Sequence, residues 1–302
     1  MNGAPRRIWL RVPIAVAASP PRDRPLLHLG LLLLTAATTT IAGASWESER
    51  AQGLLRGLLA GLPFSLTLLA ILATHESGHY LMCRWHRVNA SLPYFLPAPP
   101  WLFPLGTFGA FIRIRQRFPD RRALFDVGAA GPWAGAVVAV AALVIGLRLS
   151  TIRPDVLAQG NVLELGDSLL TFWLTRLVLD ADPATVVLHP IAFAGWLGLL
   201  VTCLNLLPAG QLDGGHVLYA VFRNRTRLVP VLLVVVLLWL GWSGWPGWIV
   251  WALILTLMLG LGHPATLDDA EPLGRARAFG AFWSFVLFVL TFVPEPFKIL
   301  SP

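Results

Sequence analysis

From about Leu54 to Cys83 the chain is largely apolar, and inside that run stands a polar pentad, His75-Glu76-Ser77-Gly78-His79. Hydrocarbon offers a backbone no partner outside its own turns, and about 20 apolar residues cover a bilayer's core, so the run is expected to cross a membrane as a helix. A helix advances about 1.5 Å and 100° per residue, which puts His75 and His79 on one face, one turn apart, with Glu76 beside them. Burying such groups in lipid costs on the order of several kcal/mol unless they are partnered. A zinc ion shared by the two imidazoles is the partner that this spacing suits. In zinc hydrolases of this pattern the ion lowers the pKa of water to around 7, and the carboxylate takes the proton and later hands it to the leaving amine.

Composition agrees with a membrane setting. Hydrophobic residues make up 56% of the 302 and charged residues 13%, with a mean hydropathy of +0.68, whereas soluble domains carry charge at about 25% of positions. Seven apolar stretches have roughly spanning length: 26–44, 54–83, 123–147, 186–207, 228–243, 246–262 and 279–293. The expected fold class is therefore an all-α polytopic membrane protein of about six to seven transmembrane helices. Division by these stretches gives a basic N-terminal segment, 1–25; a first span and external loop, 26–53; a catalytic membrane core, 54–222, holding the pentad helix and a helix over Asn205–Gly214; and C-terminal spans, 223–302.

The net charge of +7 reads as topology and not as a nucleic-acid footprint. Arg6, Arg7, Arg11, Arg22 and Arg24 precede the first stretch, Arg84 and Arg87 follow the second, and Arg113 to Arg122 precede the third; Arg223 to Arg227 and Arg275 with Arg277 precede the fifth and seventh. Alternating spans put all of these on one side, which the positive-inside rule makes the cytoplasm. Glu47, Glu49, Glu164, Asp167, Asp180 and Asp182 fall on the other. A multi-pass protein of the cell inner membrane is expected, with its N-terminus and active-site opening cytoplasmic and its first stretch kept as an anchor instead of being removed as a signal peptide.

Two histidines leave a catalytic zinc site one protein ligand short. The best candidate is Asp213, in Asn205-Leu206-Leu207-Pro208-Ala209-Gly210-Gln211-Leu212-Asp213-Gly214-Gly215, where proline and glycines would break a membrane helix beside a cavity. A turn or capping role is the alternative for an isolated aspartate there. Cys83 continues the histidine face, yet it lies about 12 Å along the axis from His75, too far to share an ion. His216 could support the site from behind. His86, His189 and His263 fall at span ends, where an imidazole needs no metal, and the 13 tryptophans read as interfacial anchors and packing surface.

On these residues the chain resembles the site-2 protease family of intramembrane zinc metalloproteases, nearest to its bacterial and plastid branch. The resemblance runs from about 55 to 220 and rests on His75-Glu76-Ser77-Gly78-His79, Asn205-Leu206-Leu207-Pro208 and Leu212-Asp213-Gly214. Pro93-Tyr94-Phe95-Leu96-Pro97, Gly106-Thr107-Phe108-Gly109-Ala110-Phe111 and Ala130-Gly131-Pro132 add to it, with a weaker echo in His263 to Asp268. It implies one Zn2+ per chain held by His75, His79 and Asp213, Glu76 as general base, Asn205 near the reaction centre, and single-span membrane proteins as substrates within the lipid bilayer. The PDZ or CBS modules of many relatives have no counterpart in this sequence, the 148–185 loop being too short for a PDZ fold.

A peptide cut in lipid must be unwound, and water must reach it. Phe111-Ile112-Arg113-Ile114-Arg115 alternates after a glycine-rich turn, so a short membrane-associated β-hairpin or re-entrant segment is expected, either offering an edge to an extended substrate or merely laying its arginines on anionic lipid. The proline-rich 93–104 segment, which no regular helix can occupy, would admit water. A membrane metal transporter or metal-binding protein is the rival reading, but the last three stretches hold almost no charge to make a path. An inactive relative is a third, opposed by the intact motifs.

Overall fold

In the computed structural model, residues 23–46, 53–154, 162–226, 228–260 and 262–300 are described. The arginines before Asp23, together with Glu47 and Glu49, lie outside the described residues.

Three helices carry the architecture: α1 (Pro25–Trp46), α2 (Leu54–Trp85) and α3 (Arg121–Leu149), each long and apolar enough to cross a membrane. Shorter apolar helices follow, namely α4 (Leu169–Leu179), α5 (Pro190–Asn205), α7 (Leu228–Ser243) and α8 (Gly247–Ile254), the last running into a wide turn over Leu255–Leu259. The polar-headed α6 (Asp213–Phe222) lies between α5 and α7, and α9 (Arg275–Thr291) comes last. Lipid gives apolar surfaces no reason to prefer one another, so such helices associate through close backbone approach and buried hydrogen bonds. Both are present. Gly43 and Gly61 let α1 and α2 touch, and Thr39 Oγ1 meets Ser65 Oγ at 2.6 Å nearby. Gly146 of α3 sits against the Ala192 backbone of α5, and Gly195 of α5 against Ala139 and Leu143. The outward faces stay apolar, as Leu232, Val235 and Trp239 on α7 illustrate.

Boundaries follow local chemistry. Asp120 caps α3 by accepting the Ala123 N–H at 2.8 Å; Ser168 and Thr171 form a reciprocal capping box on α4; Pro190 opens α5 behind the His189 cap. The helix over Asn205–Gly214 is interrupted, as expected from its proline and glycines, though not at every one of them. Residues Leu206–Leu212 form a tight turn between α5 and α6, and Gly214 and Gly215 do not break anything: they begin α6 and let it press on the Leu206 and Gly210 carbonyls.

The fold is also not purely helical. Among the described residues three antiparallel strand pairs occur: β1 (Tyr94–Pro97) with β2 (Thr107–Phe111), β3 (Thr151–Ile152) with β5 (Val186–Val187), and β4 (Val162–Leu165) with β6 (Phe297–Leu300). The β1–β2 hairpin is the expected one. It starts where His28 Nδ1 donates to the Pro93 carbonyl at 3.0 Å, and its tip is reached where Thr38 Oγ1 donates to the Gly106 carbonyl at 2.7 Å. His28 and Thr38 are about 15 Å apart along α1, so the hairpin dips that far beside a spanning helix. The remaining pairs, with α4, form a cap where the sequence suggested only an external loop. The cap, which mixes Glu164, Asp167, Asp180 and Asp182 with Arg148, Arg153, Arg176 and Lys298, lies opposite the end where Arg84, Arg113, Arg121 and Arg275 gather.

Candidate metal centre

The second span brings His75 and His79 to the interior at 4% and 7% exposure, with Glu76 at 5%. They lie about 9 to 15 Å short of the helix end at Trp85, well below the surface. The fourth apolar stretch runs the same way as the second, so its end brings Asn205 and, after the turn, Asp213 to the same depth.

The three expected ligands meet. His75 Nε2 and His79 Nε2 are 3.0 Å apart, and Asp213 Oδ2 lies 3.4 Å from the first and 3.3 Å from the second. Donors on a tetrahedral zinc with bonds of about 2.0–2.1 Å stand about 3.3–3.4 Å from each other. The donor set therefore fits one zinc ion and leaves a fourth position open. Proton placement supports the fit. His79 Nδ1 donates to the Val127 carbonyl at 2.7 Å, which leaves its Nε2 lone pair aimed at the other imidazole, an arrangement that a cation between them satisfies. Among the described residues, His75, His79 and Asp213 are the one group of three donors close enough to share an ion.

Two further groups converge. The Asn205 amide nitrogen is 3.3 Å from His75 Nε2, and the Ile112 backbone, just past β2, comes close enough to the Glu76 carboxylate for its N–H to act on it. The hairpin thus ends at the residue expected to act as base. Neither this contact nor the Val127 carbonyl was visible in the sequence, because each is a main-chain atom from a distant segment.

Glycines make room for the centre. A Cβ on Gly131 of α3 would stand 2.1 Å from His79 Nε2, and one on Gly78 would stand 2.6 Å from the Ala130 carbonyl. The Ala130-Gly131-Pro132 segment carries its meaning here: α3 presses its backbone onto the metal-binding face of α2.

The other histidines have separate partners. His86 Nε2 donates to Asp126 Oδ2 at 2.8 Å, and Asp126 also takes both Arg277 Nε at 2.8 Å and Nη2 at 2.7 Å, tying α2, α3 and α9 together. Cys83 is buried in an apolar cluster apart from the ligand group. His216 and His263, read separately from the sequence, prove to be coupled. His263 Nδ1 donates to the Pro264 carbonyl, so His216 Nδ1 is the donor in their 2.7 Å bond. The segment after α8 thereby straps α6: Tyr219 donates to Asp269 at 2.6 Å, and Arg121 bonds the carbonyls of Ala220 and Glu271.

Comparison with known proteins agrees with this centre. The chain is 35% identical over 241 residues to the probable zinc metalloprotease EGY1, chloroplastic, of Arabidopsis thaliana, covering 78% of this chain and 43% of that protein. Its rice (Oryza sativa subsp. japonica) counterpart is 35% identical over 250 residues, with 80% and 42% covered, and the probable zinc metalloprotease EGY3, chloroplastic, of rice is 28% identical over 250 residues, with 78% and 42% covered. The chain thus spans less than half the length of these relatives. No solved structure matches it. The family model of peptidase family M50 matches residues 63–238, a span that takes in His75, Glu76, His79, Asn205 and Asp213, and the chain belongs to that family, the site-2 proteases.

Proposed function

We propose that the protein is a zinc metalloendopeptidase that hydrolyses peptide bonds of membrane-spanning substrates inside the bilayer. The observation that carries this reading is three donors at tetrahedral spacing, with a buried carboxylate beside them, on two helices that meet below the arginine-rich surface. His75, His79 and Asp213 would hold Zn2+, which when bound supplies a Lewis acid that makes water acidic and polarises the scissile carbonyl. Glu76 takes the proton from the attacking water and returns it to the leaving amine. The Ile112 N–H holds that carboxylate in line, and the Asn205 amide is placed to donate to the oxyanion that forms at the carbonyl.

The hairpin supports a substrate path. Arg113 and Arg115 direct their N–H groups to Ser91 and Asn89, so the alternate positions, Ala110, Ile112 and Ile114, face the opposite edge, where Ile112 already reaches Glu76. An unwound single-span substrate pairing along that edge would recover the hydrogen bonds its helix loses and arrive beside the base. The reading places the protein in the cell inner membrane with the site opening to the cytoplasm. A transporter is disfavoured because the described residues hold one donor group and no second one to hand an ion to.

The test pairs a tagged single-span reporter with wild type and Glu76→Gln. Cleavage should fall by roughly 10²–10⁴-fold in the variant. Wild-type activity should vanish on chelation and return with Zn2+, and His79→Ala and Asp213→Ala should purify without zinc while Glu76→Gln keeps it. Equal cleavage by wild type and Glu76→Gln would remove the assigned base.

A further inference from the structure

A cavity of about 770 Å³ opens at the cap end of the bundle, remote from the metal centre. Trp46 at the end of α1, Leu105 in the hairpin tip, Phe172 of α4 and Phe193 of α5 form its apolar wall. Glu164, Asp167 and Asp182 line the same space. Asp167 takes the Thr171 hydroxyl at 3.1 Å, and Asp182 takes the Ala184 N–H at 3.2 Å; neither contact is with a cation. Burial pushes the Asp167 carboxyl above its usual range, and the neighbouring Asp182 and Glu164 add to the rise, so the three charges share one region. Glu164 has Lys298 opposite it on β6, which leaves Asp167 and Asp182 as the stronger anchors.

The cavity is continuous with the hairpin. Leu105 belongs to its wall, and Ile112, seven positions on, belongs to the catalytic carboxylate's surroundings. The extended part of that path, Thr107 to Ile112, covers about 17 Å at about 3.3 Å per residue, in keeping with the distance of about 15 Å between the hairpin's two contacts on α1.

We propose that this cavity is a substrate exosite. It takes a lysine or arginine set among apolar residues, at the end of the substrate's span, about five residues from the bond cut beside Glu76. The wall buries the apolar neighbours and the carboxylates receive the cation, a pairing that gives recognition without any motif at the cut itself. Phospholipid suits the wall but not the carboxylates, since its phosphate would face like charge. This inference rests on the proteolysis reading, because the register is measured to Glu76.

Two experiments separate them. In the first, Glu76→Gln protein in nanodiscs is titrated with a fluorescent peptide of leucine and tryptophan around one lysine, and with the same peptide carrying glutamate instead. The lysine peptide should bind at least about tenfold tighter. The Asp167→Asn/Asp182→Asn double variant, which keeps an acceptor oxygen for the Thr171 hydroxyl and the Ala184 N–H, should abolish the preference, and Ala184→Trp, which fills the cavity from its rim, should weaken binding of the lysine peptide. Equal binding of the two peptides, or a preference that survives both changes, overturns the exosite, as does a photocrosslinker at Leu105 that labels only phospholipid. In the second, the lysine of a cleavable reporter is moved along its span in steps, and mass spectrometry should show the cut bond following it. Cutting that ignores the lysine overturns the exosite while leaving proteolysis intact. Lysine-selective binding with no cleavage by wild type overturns the proteolysis reading alone.

Discussion

Gly131 gives His79 its place. The imidazole is fixed on one side by the Val127 carbonyl and on the other by the ligand group, so a methyl group 2.1 Å from its Nε2 cannot be met by a small rotation. Gly131→Ala should purify folded but with most of its zinc lost, and reporter cleavage should fall by about 100-fold. Gly135→Ala is the control: its new Cβ would lie 3.1 Å from His75 Cβ and Nδ1, a contact that a few tenths of an ångström relieve, and it should keep more of both. Metal analysis beside circular dichroism checks this, and a zinc-replete, active Gly131→Ala would contradict it. At this scale the sequence was legible where spacing along one helix decides geometry, as for His75, Glu76 and His79. Asp213 needed a topological argument as well. The Ile112 N–H, the Val127 carbonyl and the His216–His263 bond were not legible, since main-chain donors have no signature and the two histidines are 47 positions apart.

Among the elements, the hairpin is the one whose position links packing to chemistry. It is held against α1 at both ends, by His28 at Pro93 and by Thr38 at Gly106. Gly106 has a φ of +74°, and a Cβ there would come within 2.5 Å of the Thr38 carbonyl, so a side chain is opposed both by its own backbone and by its neighbour. Gly106→Val should push the tip off α1 and loosen the far end at Glu76. Cleavage should drop more than about tenfold with zinc content unchanged, whereas Gly131→Ala loses both together. Loss of zinc in Gly106→Val would show that the hairpin supports the ligands and not the base. Counting apolar length located α1, α2, α3, α5 and α7 to within a few residues, and among the described residues α1, α2 and α3 are the ones long and apolar enough to cross a bilayer. It passed over α4, whose 11 residues cannot span and whose start is marked only by Ser168 and Thr171. It also passed over β4 and β6, because their pairing joins residues far apart in the chain and leaves no local pattern.

For the whole molecule, the proposed direction across the membrane rests on charge. Arg84, Arg113, Arg121, Arg225 and Arg275 gather at the end where α2 and α5 finish and α3 and α9 begin, while the cap at the other balances Glu164, Asp167, Asp180 and Asp182 with Arg148, Arg153, Arg176 and Lys298, so the basic excess lies at the first end. Anionic lipid and the insertion machinery hold basic ends in the cytoplasm. Under that assignment the metal centre is nearer the cytoplasm and the cavity nearer the outside, so a substrate would be gripped on one side and cut toward the other. Cys83 and Cys203 are buried, so single cysteines placed elsewhere report access cleanly once these two are replaced by alanine. With a membrane-impermeant maleimide, Asp180→Cys should label in intact cells and Arg275→Cys only after permeabilisation. The reverse pattern would turn the molecule over, moving the zinc site to the outer side and requiring the exosite's lysine to lie on the cytoplasmic end of its substrate, which the stepped-lysine reporter would then show as a cut displaced in the opposite direction.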